Sequence, residues 1–172
     1  EHKLEADDIA EVDAGLSQMT HVHCAWEYKA QGVTAAQMNL YYGLAVIALD
    51  GMAFVDQYRE DRLRDPQILD FIKRVRAHVD PGIEAMGAAF RHAARVTVKT
   101  RDGRTLKREI LHRRGSPENP LQPADVEYKF RNVARACLTQ AHTDRVMKLV
   151  GVLETLDSTA ELIGILAAPT AA

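Results

Sequence analysis

The sequence predicts an α+β fold: a small antiparallel sheet with a β-hairpin packed on helices, followed by C-terminal helices. Three observations carry this. Residues 95–101 and 104–111 are β-rich arms on either side of Asp102-Gly103, a dipeptide suited to the positive φ angles of a type I′ turn. Ile9, Val12 and Leu16 stand among Glu11 and Asp13 in an imperfect alternation that reads as a strand over residues 9–16. From Pro123 onward the apolar residues recur at helical spacing. The order strand, helices, hairpin, helices argues against an alternating βαβ chain.

Thr34-Ala-Ala-Gln37 has the form of a capping box, in which a hydroxyl and an amide reciprocally satisfy first-turn amides, so a helix is expected to begin at Thr34. Met38, Tyr41, Tyr42, Ala45, Val46 and Leu49 continue it, Leu40, Leu44 and Ile47 make its other side apolar, and Gly51 can end it in the left-handed conformation. Such a helix is buried almost all round. Asp65-Pro66 caps and opens a second helix, with Ile68, Leu69, Ile72 and Val75 on one face and Lys73, Arg74 and Arg76 near its C-terminal dipole. Gly115, Pro117 and Pro120 make residues 112–122 a loop. Beyond it, Pro123 opens a helix striped by Val126, Phe130, Val133, Ala134 and Cys137, another runs over residues 143–156, and Ser158-Thr-Ala-Glu161 caps a last one.

The chain has 172 residues, with 22 Lys+Arg against 24 Asp+Glu, 47% hydrophobic and 27% charged residues. That composition excludes intrinsic disorder as the main state, and the length supports one sizeable core. A net charge of −2 lacks the basic footprint of a dedicated nucleic-acid binder. The longest apolar run, residues 40–49, is half the roughly 20 residues that cross a bilayer. Cys24 and Cys137 form no CxxC pair, which suggests a reducing, cytoplasmic setting. The opening residues, Glu1 to Asp8, carry neither Met nor the basic and apolar runs of a secretory leader, as though cut from a longer chain.

Few side chains invite chemistry. His21-Val-His23-Cys24 has two imidazoles that would share a face on a strand, but no second spaced pair completes a zinc set, so no metal is expected. Lys99, Arg101, Arg104, Lys107, Arg108, Arg113 and Arg114 gather around the hairpin, either as a solvated face or as a carboxylate grip. Arg113 and Arg114 are the better candidates for substrate binding, because they enter a Gly/Pro loop where a guanidinium can hold a carboxylate with two bonds. Tyr41 and Tyr42 lie on the apolar helix, where a phenol is either a core aromatic with a satisfied hydroxyl or a donor at an active-site wall. GxGxxG, P-loop, GxSxG and HExxH motifs are all missing.

Residues 36–51 (AQMNLYYGLAVIALDG), Asp102-Gly103-Arg104, and residues 113–120 (RRGSPENP) followed by Lys129-Phe130-Arg131 together resemble the C-terminal half of the MmgE/PrpD family. That family includes 2-methylcitrate dehydratase, cis-aconitate decarboxylase and iminodisuccinate epimerase. The resemblance implies a homodimeric two-domain enzyme, with a large helical domain, a smaller α+β lid and the active site between them. Its substrates are small di- or tricarboxylates, and it needs no obligatory metal or other cofactor. Residues 1–114 would be the lid-like domain and residues 115–172 the loop and helices that return to a helical domain largely absent from this chain. Without that domain the chain is expected to be inactive. The family's lid tyrosine, eight residues before the Asp-Gly that ends its helix, falls on Tyr42 and implies a catalytic hydroxyl there, with Tyr41 as its neighbour if the register slips. The Arg113-Arg114 loop matches a family motif to which the resemblance attaches no catalytic role. The alternative is a stand-alone, non-catalytic carboxylate-binding or regulatory module with the same fold.

Overall fold

The computed structural model describes residues 2–167. Contacts divide the chain into two compact units, Glu1–Pro120 and Leu121–Ala172. The first is α+β. Its sheet has the order β2-β1-β3-β4, built from β1 (Ile9–Leu16), β2 (Val75–Val79), β3 (Ala94–Thr100) and β4 (Thr105–Ile110). The sheet is mixed where a purely antiparallel one was expected, because β2 lies parallel to β1, with Val12 opposite Val75 and Leu16 opposite Val79. The remaining pairs, β1 with β3 and β3 with β4, are antiparallel.

Pairing register turns the alternation of β1 into two unlike faces. Val75, Val12, Val98 and Leu106 form one row across the sheet, and Ala77, Ala14 and Val96 the next. On this face the core gathers Ile9, Val12 and Val75 with Ala36, Tyr42, Ala45, Val46, Leu63, Ile68 and Phe71. The other face carries Arg76, Asp13, Thr97 and Lys107 in one row and His78, Gly15, Arg95 and Glu109 in the next.

The helix expected from Thr34 is two helices. α1 (Gln18–Cys24) is followed by α2 (Val33–Met38), whose N-cap is Gly32 with no side-chain cap, so the Thr34 box does not form. Asn39, in extended conformation, breaks the run and caps α3 (Leu40–Asp50) by accepting from the Tyr42 amide at 3.0 Å. Its own amide group donates to the Trp26 carbonyl at 2.7 Å, so one 2%-exposed side chain ties α3 to the preceding loop. Gly51 ends α3 at φ 72°, as expected. α3 is buried nearly all round, and Ile47 is the residue that emerges.

α4 (Pro66–Ile72) is capped by Asp65, which accepts from the Gln67 amide at 2.9 Å. It stops at Ile72, and the residues read as its basic last turn and fourth apolar position, Arg74 to Arg76, lead into β2 instead. Sheet pairing of Val75 and Val79 outweighs the weak helical periodicity beyond Ile72. Burying Ile68 and Phe71 contributes about 1.5–3 kcal/mol each, more than the solvent-screened surface pairs of Asp70 with Lys73 and Arg74. α5 (Pro81–Glu84) follows β2 and is capped by Asp80.

The hairpin forms where the sequence places it, with a different turn. Arg101, Asp102 and Gly103 make a three-residue loop, and Gly103, at φ 88°, is its one positive-φ residue, so the type I′ expectation is replaced by a turn closed with a left-handed glycine. The cause is local: the Thr100 hydroxyl donates to the Asp102 carboxylate and accepts from the Arg104 amide at 3.0 Å, which fixes Asp102 within the loop.

The second unit holds α6 (Pro123–Ala134), α7 (Gln140–Gly151) and α8 (Ala160–Ala167). Cys137 falls beyond α6, and α7 begins three residues before the expected Thr143 because Thr139 supplies its cap. Arg131 pairs with Asp144, and Arg145 grips Glu161 with two bonds of 2.5 Å. Val126, Val150, Ile163 and Leu166 remain more than half exposed.

Asn39→Ala removes the α3 cap and the donor to the part-buried Trp26 carbonyl, and is expected to lower unfolding stability by about 1–3 kcal/mol in urea titrations. Asn39→Asp, which keeps the acceptor, is expected to lose less.

Candidate functional site

Tyr42 lies one turn into α3 on its sheet-facing side, where Val46 and Ala45 also point, and is fully buried. Its ring packs between Tyr28 and Tyr58, with centroids at 5.0 and 5.5 Å. Its hydroxyl donates to the Gln57 carbonyl at 2.6 Å. Burial, first, and then the neighbouring Tyr28 push its pKa up to about 12, against the opposing charge of Arg62. At neutral pH it is therefore a proton-bearing donor and not a base. Tyr28 and Tyr58 are also raised, chiefly by burial. Tyr41 is half-buried at the margin of the same core.

Behind Tyr42 a polar network anchors the segment it binds. The Gln57 amide group donates to Asp50 at 3.1 Å, and the Phe54 amide donates back to the Gln57 side chain at 3.0 Å, holding the 3-10 turn Val55–Tyr58 across the end of α3. Arg62 clamps Asp50 with bonds of 2.8 and 3.0 Å and reaches Asp65 at 2.9 Å, so one guanidinium joins the last residue of α3 to the cap of α4. Asp50, Gln57 and Arg62 line an open hollow of about 330 Å³. The sequence pointed to Asp50-Gly51 but gave no signal for Gln57 or Arg62, which meet Asp50 only through tertiary contact.

Arg113 and Arg114 are exposed in the loop after β4, outside the core that encloses Tyr42. The loop is ordered by Gly115 at φ 91°, by a bridge between Ser116 and Asn119, and by Asn119, whose amide group donates to the His112 carbonyl at 3.0 Å. Hairpin cations are largely engaged: Lys99 pairs with Glu11 at 3.0 Å, Arg104 with Asp102 at 2.8 Å, and Arg101 donates to the Asp7 carbonyl at 2.8 Å. Two of these three bonds neutralise the cation's charge, and the third is to a neutral carbonyl.

His21 and His23 lie on α1, not on a strand, and the helical turn of about 100° per residue sends them to different sides. Among the described residues no group of three or more His, Cys, Asp or Glu side chains is arranged to hold a metal ion. Cys24 and Cys137 are free thiols. No helix among the described residues is long and apolar enough to cross a membrane.

The Asp-Gly-ended helix that buries a tyrosine, the hairpin turn and the Gly/Pro loop follow one another in the order of the motifs that carry the resemblance. Residues 1–155 match the MmgE/PrpD C-terminal domain. The chain belongs to the MmgE/PrpD family. No curated protein matches the chain. Within this MmgE/PrpD domain, the matched span covers the sheet, the α3 tyrosine pair, the Arg113-Arg114 loop, α6 and α7.

Tyr42→Phe deletes the donor to a buried carbonyl, and is expected to lower stability by about 1–2 kcal/mol in urea unfolding. Because the folded pKa is raised above the usual tyrosine value of 10, the contribution of the neutral phenol is complete below pH 10 and is lost as pH rises toward about 12. Absorbance at 295 nm is expected to show Tyr42 ionising late, together with alkaline unfolding, and the Tyr42→Phe chain is expected to lose that late component.

Proposed function

We propose that this chain is the lid and C-terminal part of an MmgE/PrpD-type lyase or isomerase, dehydratase-like, that acts on a small di- or tricarboxylate. The match of residues 1–155 to the family's C-terminal domain is the observation that carries this reading. The chemistry is proton removal from a carbon next to a carboxylate, with the developing enolate held by hydroxyl and cationic donors. In this reading Tyr42 is the hydroxyl donor. A phenol held neutral to about pH 12 supports donation to an oxyanion and argues against a role as base. Reaching substrate requires the 3-10 turn Val55–Tyr58 to release the hydroxyl from the Gln57 carbonyl, and that turn is held mainly by the solvent-reachable pairs of Gln57 and Arg62 with Asp50. Arg113 and Arg114, exposed on their loop, are proposed to meet the substrate's carboxylates from the rim. The base comes from a helical domain, as a covalent neighbour or a separate subunit, and the active assembly is a cytoplasmic homo-oligomer. The free thiols of Cys24 and Cys137 and the exposed apolar residues of α6, α7 and α8 support this setting.

One observation favours a second reading, a non-catalytic carboxylate-binding module: the Tyr42 hydroxyl is already satisfied inside the core. Calorimetry separates the two. Micromolar binding of citrate by the chain alone favours the module, whereas the lyase reading expects no binding without the helical domain.

In the complete enzyme Tyr42→Phe is expected to lower kcat by about 10²–10³-fold, the effect of losing one oxyanion donor. Tyr41→Phe is expected to leave kcat within a few-fold. Unchanged turnover in Tyr42→Phe, with the fold verified by its melting temperature, removes the assigned role.

A further inference from the structure

The sheet face turned away from Tyr42 holds a cleft of about 460 Å³, lined by polar residues from all four strands and the turn after β2. Its floor is Gly15. A side chain there would bring a Cβ within 3.0 Å of the Asp80 carboxylate and 3.3 Å of His78 Nε2, so glycine leaves a hollow on which these two groups converge. His78 Nδ1 lies 3.3 Å from Asp13 Oδ1, which orients the ring and, in the neutral imidazole, places the proton on Nδ1 and the acceptor lone pair on Nε2.

Asp80 is held just as firmly. Its Oδ1 accepts from the amides of Gly82 and Ile83 at 2.7 and 3.1 Å and from Arg95 at 2.9 Å. Its Oδ2 and His78 Nε2 have no protein hydrogen-bond partner among the described residues, and both face the Gly15 hollow. Across β3, in the row of Asp13 and Thr97, stands Lys107. Arg95 is neutralised by Asp80 and Glu109, whereas Lys107 has no ion pair among the described residues. A carboxylate oxygen and an imidazole nitrogen at one end and an unneutralised ammonium at the other complement a molecule with a hydroxyl at one end and a negative charge at the other.

We infer that this cleft binds a small hydroxy acid, its hydroxyl donating into the Gly15 hollow between His78 and Asp80 and its carboxylate pairing with Lys107. The site is on the opposite face of the sheet from Tyr42 and does not depend on the proposed lyase activity. Occupancy ties β2, β1 and β4 together through one ligand, so it acts as an effector or structural ligand of the lid.

The test is a titration of the full 172-residue chain with glycerate at neutral pH, read from the His78 ring resonances by NMR. Acetate, which has the charge alone, and glycerol, which has the hydroxyls alone, are the comparison probes. A saturable shift of His78 with glycerate is expected, weakened about 10-fold or more in Lys107→Met, and similarly weakened in Gly15→Ala, where the added methyl fills the hollow. Lys107 is exposed, so Lys107→Met keeps the fold and decides the matter even where Gly15→Ala does not fold. No shift with glycerate, an equal shift with acetate or glycerol, or unaltered affinity in Lys107→Met overturns the assignment. None of these outcomes bears on turnover by Tyr42.

Discussion

The alternation of side chains along β1 is the constraint on which the rest of the first unit depends. β1 is one of the two inner strands and joins the parallel and antiparallel parts of the sheet, pairing in parallel with β2 and antiparallel with β3, so its period of two is imposed on both neighbours. Val12, Ala14 and Leu16 face one way at 5%, 1% and 3% exposure, while Glu11 and Asp13 face the other. A slip of one residue would drive two carboxylates into the cluster around Tyr42 and Phe71. Desolvating even one unpaired carboxylate costs several kcal/mol, a large part of the 5–15 kcal/mol by which a domain is stable. Register is therefore fixed by what the wrong face would cost, more than by any single contact.

The same constraint separates two kinds of chemistry. On the apolar side water is scarce and pairing falls to the protein: the hydroxyls of Tyr42 and Tyr28 both donate to backbone carbonyls and Asn39 uses both ends of its side chain. On the polar side water can satisfy what protein does not, so His78 Nε2 and Lys107 stand without protein partners among the described residues at little cost. Catalytic potential on the first side thus needs a conformational step that frees a committed hydroxyl, while binding potential on the second needs only a ligand of matching charge. Arg62 joins Asp50 to Asp65 and so couples the end of α3 to the start of α4, beside the turn whose Gln57 carbonyl accepts from Tyr42.

Much of the fold was legible because local chemistry and global fold agree at those positions. The strand over residues 9–16, the left-handed end at Gly51, the Asp65-Pro66 start and the hairpin all follow from patterns within a few residues. Three features were hidden for definite reasons. β2 has only five residues and begins two residues beyond α4, so Val75 extends a helical stripe that tertiary pairing overrides. Asn39 interrupts a helix inside an unbroken favourable pattern because its side chain finds a partner in Trp26, thirteen residues away, which no window reveals. The type I′ turn lost to a competing side-chain bond from Thr100. Of the candidate site, Tyr42 and its burial were legible, but its partner Gln57 was not. The polar cleft has no signal in the sequence, because no local pattern marks residues 75–79 as the strand that brings His78 beside Asp13.

The two units differ in how completely each satisfies itself. The first closes a core in which Tyr42, Phe71, Ile68, Ile83 and Val46 are essentially inaccessible. In the second, among the described residues, burial is confined to Ala134, Thr143, Val146 and Leu149, while Val126, Val150, Ile163 and Leu166 each remain more than half exposed. Isolated helices of 8 to 12 residues are marginal in water, and their stability comes from the apolar face they bury. The bidentate pair of Arg145 with Glu161 is solvent-exposed and contributes too little to replace that burial. The three helices are therefore expected to depend for their stability on surface supplied from outside the unit, whereas the sheet and α3 form a body that carries its own core.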